Sequence, residues 1–106
     1  MVNNNPDSIS IIKNIVCRFI PDSKIILFGS RARSDNNQDS DYDFLIVTKN
    51  SIEIQEKRDL KSIIRKELAR FKIPADILIQ SEDEISYKKE ITGHILRHVI
   101  KEGVLI

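Results

Sequence analysis

Residues Leu27–Val47 read LFGSRARSDNNQDSDYDFLIV, and this stretch decides the fold. A short apolar run, Ile25-Ile26-Leu27-Phe28, stops at Gly29-Ser30. A loop rich in Asp, Asn, Gln and Ser follows, and Asp41-Tyr42-Asp43 then opens a second apolar run, Phe44 to Val47. The pattern predicts a strand, a tight turn, a polar loop and a second strand whose first residues are acidic. Side chains alternate between the faces of a strand, so Asp41 and Asp43 point with Leu45 and Val47 while Tyr42, Phe44 and Ile46 point the other way. Two carboxylates are thereby expected at one place.

Like charges held that close repel one another unless a cation lies between them. Mg²⁺, a hard ion that takes oxygen ligands, is the usual occupant where phosphate is the substrate. Gly29 lets the backbone turn sharply and approach a ligand, and Ser30 offers a hydroxyl and an N–H at the expected start of a short helix, Ser30 to Arg33. Arg31 and Arg33 beside that turn either balance phosphate charge or are solvated loop charges. Asp35 and Asp39, farther along, read as turn formers. A turn that can hold polyphosphate next to a strand that can hold metal suggests phosphoryl or nucleotidyl transfer.

The surrounding chain bounds this chemistry. Its 106 residues are expected to form a single domain, 1–106, with one modest core. Hydrophobic content is 41% and charged content 31%, and no apolar run nears the ~20 residues of a membrane span. MVNNNPDS lacks the pattern of a secretory signal, so a cytoplasmic location is expected. Net charge is +1, with both signs interspersed. That is not the basic stripe of a protein gripping nucleic acid through phosphates, so direct nucleic-acid binding is not expected. Cys17 is the one cysteine and, among Ile15, Val16 and Phe19, reads as a small buried hydrophobe.

Ile9, Ile12, Val16, Phe19 and Ile20 recur at helical spacing, with Asp7 or Ser8 as a candidate cap and Pro21-Asp22 as the stop. Lys24 to Phe28 has the near-continuous apolar character of a strand buried on both faces. After a turn at Thr48–Ser51, a helix is expected from Glu53 to Phe71. Leu60, Ile63, Ile64, Leu68 and Phe71 form its apolar stripe, Glu53 and Lys57 an i,i+4 pair, and Lys57, Lys61 and Arg65 a solvated outer row. Ala75 to Gln80 reads as a third strand in which Asp76 shares a face with Leu78 and Gln80. An acid on so apolar a strand is costly to bury without a partner. Ser81-Glu82-Asp83-Glu84 fits a capping box. A last helix, Lys88 to Glu102, is expected to turn Ile91, Ile95 and Val99 inward, with Gly93 a weak point and Gly103 the stop. His94 and His98 lack a third ligand for a metal. Val104-Leu105-Ile106 can add an edge strand.

Gly29-Ser30, ten residues, then Asp41-x-Asp43 resembles the signature of the DNA polymerase beta-type nucleotidyltransferase superfamily. The string GSRAR…SDYDFLIV is similar to its minimal nucleotidyltransferases (MNT), which pair with HEPN-domain proteins and include MntA-like antitoxins. Ser34 departs from the pattern, standing where many relatives have glycine. The resemblance implies an α/β (α+β) fold in which a small mixed sheet is flanked by helices. It further implies Asp41, Asp43 and Asp76 as catalytic and metal-binding residues for two Mg²⁺ ions, and Gly29, Ser30, Arg31 and Arg33 as nucleotide-binding residues. The implied reaction moves AMP from ATP to a hydroxyl, a tyrosine in the family's case, of a HEPN-domain toxin and silences it. Alternatives are a non-catalytic antitoxin that acts by docking, and transfer to a small molecule or an RNA end.

Overall fold

A computed structural model of the chain describes residues 6–29, 31, 41–88 and 95–106. Its elements in order are α1 (Pro6–Phe19), β1 (Lys24–Phe28), β2 (Tyr42–Thr48), α2 (Ile54–Ala69), β3 (Ala75–Ser81), α3 (Glu82–Lys88), α4 (Ile95–Glu102) and β4 (Val104–Leu105). Among the described residues the strands form one sheet ordered β3-β2-β1-β4. β1 runs antiparallel to both β2 and β4, while β2 and β3 are parallel and joined through α2. This is the mixed sheet flanked by helices that the sequence predicts, including the short edge strand at 104–105.

The alternation in each strand divides the core into two layers. Ile25, Leu27, Tyr42, Phe44, Ile46, Ile77 and Ile79 face α1 and α2, where they bury Ile12, Ile15, Val16, Ile64 and Leu68. On the other face Leu45 and Val47 pack with Ile85 of α3 and Leu96 and Val99 of α4, flanked by Ile26, Phe28 and Leu78. Phe44, Leu45 and Ile46 are completely buried. Side chains of that size contribute roughly 1.5–3 kcal/mol each when removed from water. β2 is therefore the strand around which both layers close.

Helix ends follow local chemistry. Beyond α1 the Ile20 N–H still donates to the Val16 carbonyl (2.7 Å), and the Ser23 hydroxyl donates to the Ile20 carbonyl (2.7 Å). Asp22 then takes a left-handed φ of 65° to reverse the chain. Lys72 (φ 60°) does the same after α2, sending the Ile73 N–H back to the Leu68 carbonyl at 3.1 Å. At α3 the capping box is complete: the Ser81 N–H donates to Glu84 Oε1 (2.7 Å) and the Glu84 N–H to Ser81 Oγ (3.1 Å).

Several expectations are corrected by tertiary placement. Cys17 is exposed, not buried; its neighbours one turn back are Lys13 and Asn14, so it lies on the polar side of α1. The helix itself begins at Pro6, one residue before the proposed cap Asp7, which sits in the first turn. Ile63 and Phe71 are 41% and 52% exposed. The buried line of α2 is narrow, Leu60 to Ile64 to Leu68, and Phe71 falls beyond the helix end at Ala69. Lys57 does not pair with Glu53 and is not on a solvated row: its Nζ sits 2.9 Å from both Glu84 oxygens, and its side chain is 12% exposed. Leu96 joins Val99 as an inward residue of α4, while His98 pairs with Glu102 at 3.0 Å on the surface. Ile91, Gly93 and His94, with Ser30, Arg33, Asp35 and Asp39, lie outside the described residues.

Glu84 ties α2 to the end of β3. Burial alone would push its carboxyl up, but the Lys57 ammonium and the hydrogen bonds from Ser81 outweigh that and hold its pKa below the ordinary glutamate value. A lowered folded-state pKa contributes stability that is present in full above the unfolded value of about 4.3 and is lost as pH falls through the lower folded value. Glu84→Gln should therefore cost about 1 kcal/mol near pH 7, and the deficit should shrink as pH falls below the ordinary glutamate value. Urea denaturation of both proteins across that range checks this, and a deficit that does not change with pH would refute the charge as its cause.

Candidate functional site

The site lies where β1 ends and β2 and β3 begin. Antiparallel pairing puts Phe28 opposite Asp43, and parallel pairing puts Asp43 beside Asp76, so the three stand level across neighbouring strands. Adjacent strands are about 4.8 Å apart. Paired residues share a face, here that of Ile26, Leu45 and Leu78. Asp43 is partly buried and Asp76 exposed. Asp41, also exposed, immediately precedes β2, whose first N–H, that of Tyr42, donates to the Pro74 carbonyl at 2.9 Å. Alternation continues the face of Asp43 back to Asp41.

Side-by-side carboxylates destabilise a sheet. They do nothing for the core, and local choices that conflict with folding are expected at functional positions. Exposure of Asp76 revises one step of the sequence reasoning: this acid avoids the cost of burial altogether, and strand register alone sets it beside Asp43. Among the described residues no three His, Cys, Asp or Glu side chains close into a ready-made ligand cluster. The arrangement is thus an open pair, Asp43 and Asp76, with Asp41 at its margin.

Gly29 is required twice over. Its φ of 73° is left-handed, and a Cβ at this position would overlap the Asp43 carboxylate. The turn leaving β1 therefore presses its bare Cα against the central acid.

Arg31 is not a solvated loop charge. It is only 6% exposed, and its guanidinium carbon lies 4.1 Å from the centre of the Tyr42 ring, itself 3% exposed. Tyr42 belongs to the core layer on the α1 and α2 side. Sequence reasoning assigned it to that face but gave it no part in the site. The available signal was an aromatic residue between two acids, following an arginine-bearing turn on the adjacent strand.

The description "Nucleotidyltransferase domain" belongs to the family model that matches residues 9–104. Two proteins of Methanocaldococcus jannaschii, each named "Putative protein adenylyltransferase", are similar to this chain. MJ0141 is 37% identical over 81 residues, covering 76% of this chain and 75% of that protein. MJ0604 is 35% identical over 80 residues, covering 76% and 73%.

The contact between Gly29 and Asp43 makes a direct prediction. Gly29→Ala should destabilise the protein by about 1–3 kcal/mol through left-handed strain and displacement of the carboxylate. In an Asp43→Ala background the same substitution should cost less, because the overlapping group is gone. Denaturant midpoints of the four proteins in this cycle decide the point; a Gly29→Ala that is neutral, or equally costly in both backgrounds, would refute the contact.

Proposed function

Because this chain belongs to the nucleotidyltransferase-domain family, we propose that it moves AMP from ATP to a tyrosine hydroxyl of a HEPN-domain toxin, as that toxin's antitoxin. The observation that carries the reading is the alignment of Asp43 with Asp76 beside the bare Cα of Gly29. Support for a protein acceptor comes from the names of the two archaeal relatives. Support for a HEPN partner comes from the likeness of GSRAR…SDYDFLIV to minimal nucleotidyltransferases. Among the described residues no helix is long and apolar enough to cross a membrane, and the reading places the protein in the cytoplasm.

In the proposed reaction the acceptor oxygen attacks the α-phosphorus of ATP and loses its proton. The bond from that phosphorus to the bridging oxygen breaks, and pyrophosphate leaves. Gly29 and Ser30 would hold the β- and γ-phosphates, because a turn without a Cβ lets main-chain N–H groups approach closely. Asp41, Asp43 and Asp76 would hold Mg²⁺, two ions in the full reading, which supplies neutralisation of phosphate charge when bound. The donor set suits that ion. Carboxylate oxygens are hard donors, and Mg²⁺ is commonly held by one or two carboxylates together with substrate phosphates and water instead of an all-protein cage. Asp76, the more exposed of the paired acids, is the one open to an incoming acceptor, and it would help remove the hydroxyl proton.

Incubating the protein with its HEPN partner and α-labelled ATP tests this reading. Label should appear on the partner and fall by on the order of 10³-fold or more with Asp43→Asn, while the thermal midpoint stays within a few degrees of wild type. Neutralisation of the partner that survives Asp43→Asn without any label would instead establish docking alone. Label on an RNA end or a small molecule in the absence of the partner would establish a different acceptor.

A further inference from the structure

We infer that Arg31 is a positioning residue, whose stack on Tyr42 fastens the turn leaving β1 to the strand that carries the acids, instead of a residue that grips triphosphate. The inference rests on the nucleotidyl-transfer reading for its consequence, but not for its geometry. Gly29 and Arg31 meet β2 at adjacent residues. Gly29 lies against the carboxylate of Asp43, and Arg31 lies on the ring of Tyr42. Successive residues of a strand face opposite ways, so these contacts fall on the two faces of β2. The turn is held to the strand from both sides.

Tyr42 is a fixed anchor. Its ring is buried in the same layer as Ile12, Phe44 and Ile77, and it has no room to follow a moving loop. A guanidinium suits the opposite half of the stack. It is planar and weakly hydrated, it can lie flat on a ring, and the attraction strengthens when the cation is out of water. At 6% exposure Arg31 is in that desolvated condition. An ammonium on a flexible stem is a compact, strongly hydrated charge and cannot spread over the ring as a guanidinium does. The geometry thus puts Arg31 behind the turn, on the face of β2 opposite Asp43. There it would determine how far the turn stands from Asp43, and so how bound phosphates align with the acids.

Four variants with two readouts test the inference. Arg31→Lys keeps the charge and loses the planar face; Arg31→Met loses both. Tyr42→Leu removes the ring and leaves Arg31 in place, whereas Tyr42→Phe keeps the ring. In the ligand-free protein, amide hydrogen exchange at Gly29 should rise roughly 10-fold relative to wild type in Arg31→Lys, Arg31→Met and Tyr42→Leu. Tyr42→Phe should restore wild-type exchange, and Ile77 and Ile79 in β3 should be unaffected in all four. In the transfer assay, Arg31→Lys should lower kcat by roughly 10- to 100-fold with KM for ATP changed less than about threefold. Wild-type kcat in Arg31→Lys, with a raised KM for ATP confined to Arg31→Met, would show that the charge grips phosphate and overturn the inference. Unchanged exchange at Gly29 in both Arg31→Lys and Tyr42→Leu would overturn it independently. The exchange arm decides the geometry even if wild type transfers no AMP, an outcome that would sink the proposed reaction alone. Should Arg31→Lys unfold globally, exchange at Ile77 and Ile79 would reveal it, and the comparison of Tyr42→Leu with Tyr42→Phe would carry the decision.

Discussion

The parallel pairing of β2 with β3 sets Asp43 and Asp76 in register on one face, and the remaining structure can be understood as what holds that unfavourable neighbourhood in place. The repulsion between two acids in register on neighbouring strands is a cost to the sheet. It is tolerated because the same ladder continues through Phe44 with Ile77, Leu45 with Leu78 and Ile46 with Ile79, pairs that anchor two apolar layers. A slip of one residue would turn each of these side chains to the wrong face and expose the core. Burial of the apolar rungs therefore fixes where the acids stand, and core packing becomes a condition of the chemistry.

The two ends of this ladder have different tasks. At the far end, Thr48 pairs with Ser81. There Ser81 caps α3, and Glu84 receives Lys57 from α2, so the polar groups are satisfied and structural. At the near end stand two acids in register, a third just outside β2, and a glycine pressed against the central one. Both ends contain acids close to backbone turns. What separates them is the residue set alongside: Glu84 receives a lysine from α2, whereas Asp43 stands in register with a second acid, Asp76.

Much of this was legible in the sequence because it depends on period and on short-range chemistry. Alternation in DYDFLIV assigned each residue of β2 to its observed face, and Ser81 to Glu84 announced its own cap. Asp76 was found by the same alternation, although the supposed cost of burying it proved irrelevant to an exposed residue. Features that depend on which element comes to lie alongside were not legible. Lys57 has an acceptable partner four residues away in Glu53, yet it reaches Glu84 across the fold. Cys17 has apolar neighbours in sequence but polar ones on the helix surface. Arg31 looked like a charge available to phosphate, and only the position of the Tyr42 ring shows how deeply it is engaged.

Mn²⁺ binding, followed by electron paramagnetic resonance in the presence of a non-hydrolysable ATP analogue, asks most directly whether Asp43 and Asp76 act as one site. Mn²⁺ serves as a spectroscopic stand-in for Mg²⁺ with a similar preference for oxygen ligands. The expected result is that Asp43→Asn and Asp76→Asn each weaken Mn²⁺ binding by roughly 10-fold or more, while both variants keep the wild-type fold. Wild-type affinity in Asp76→Asn would contradict it, since the register that pairs these acids would then have no consequence for the ion.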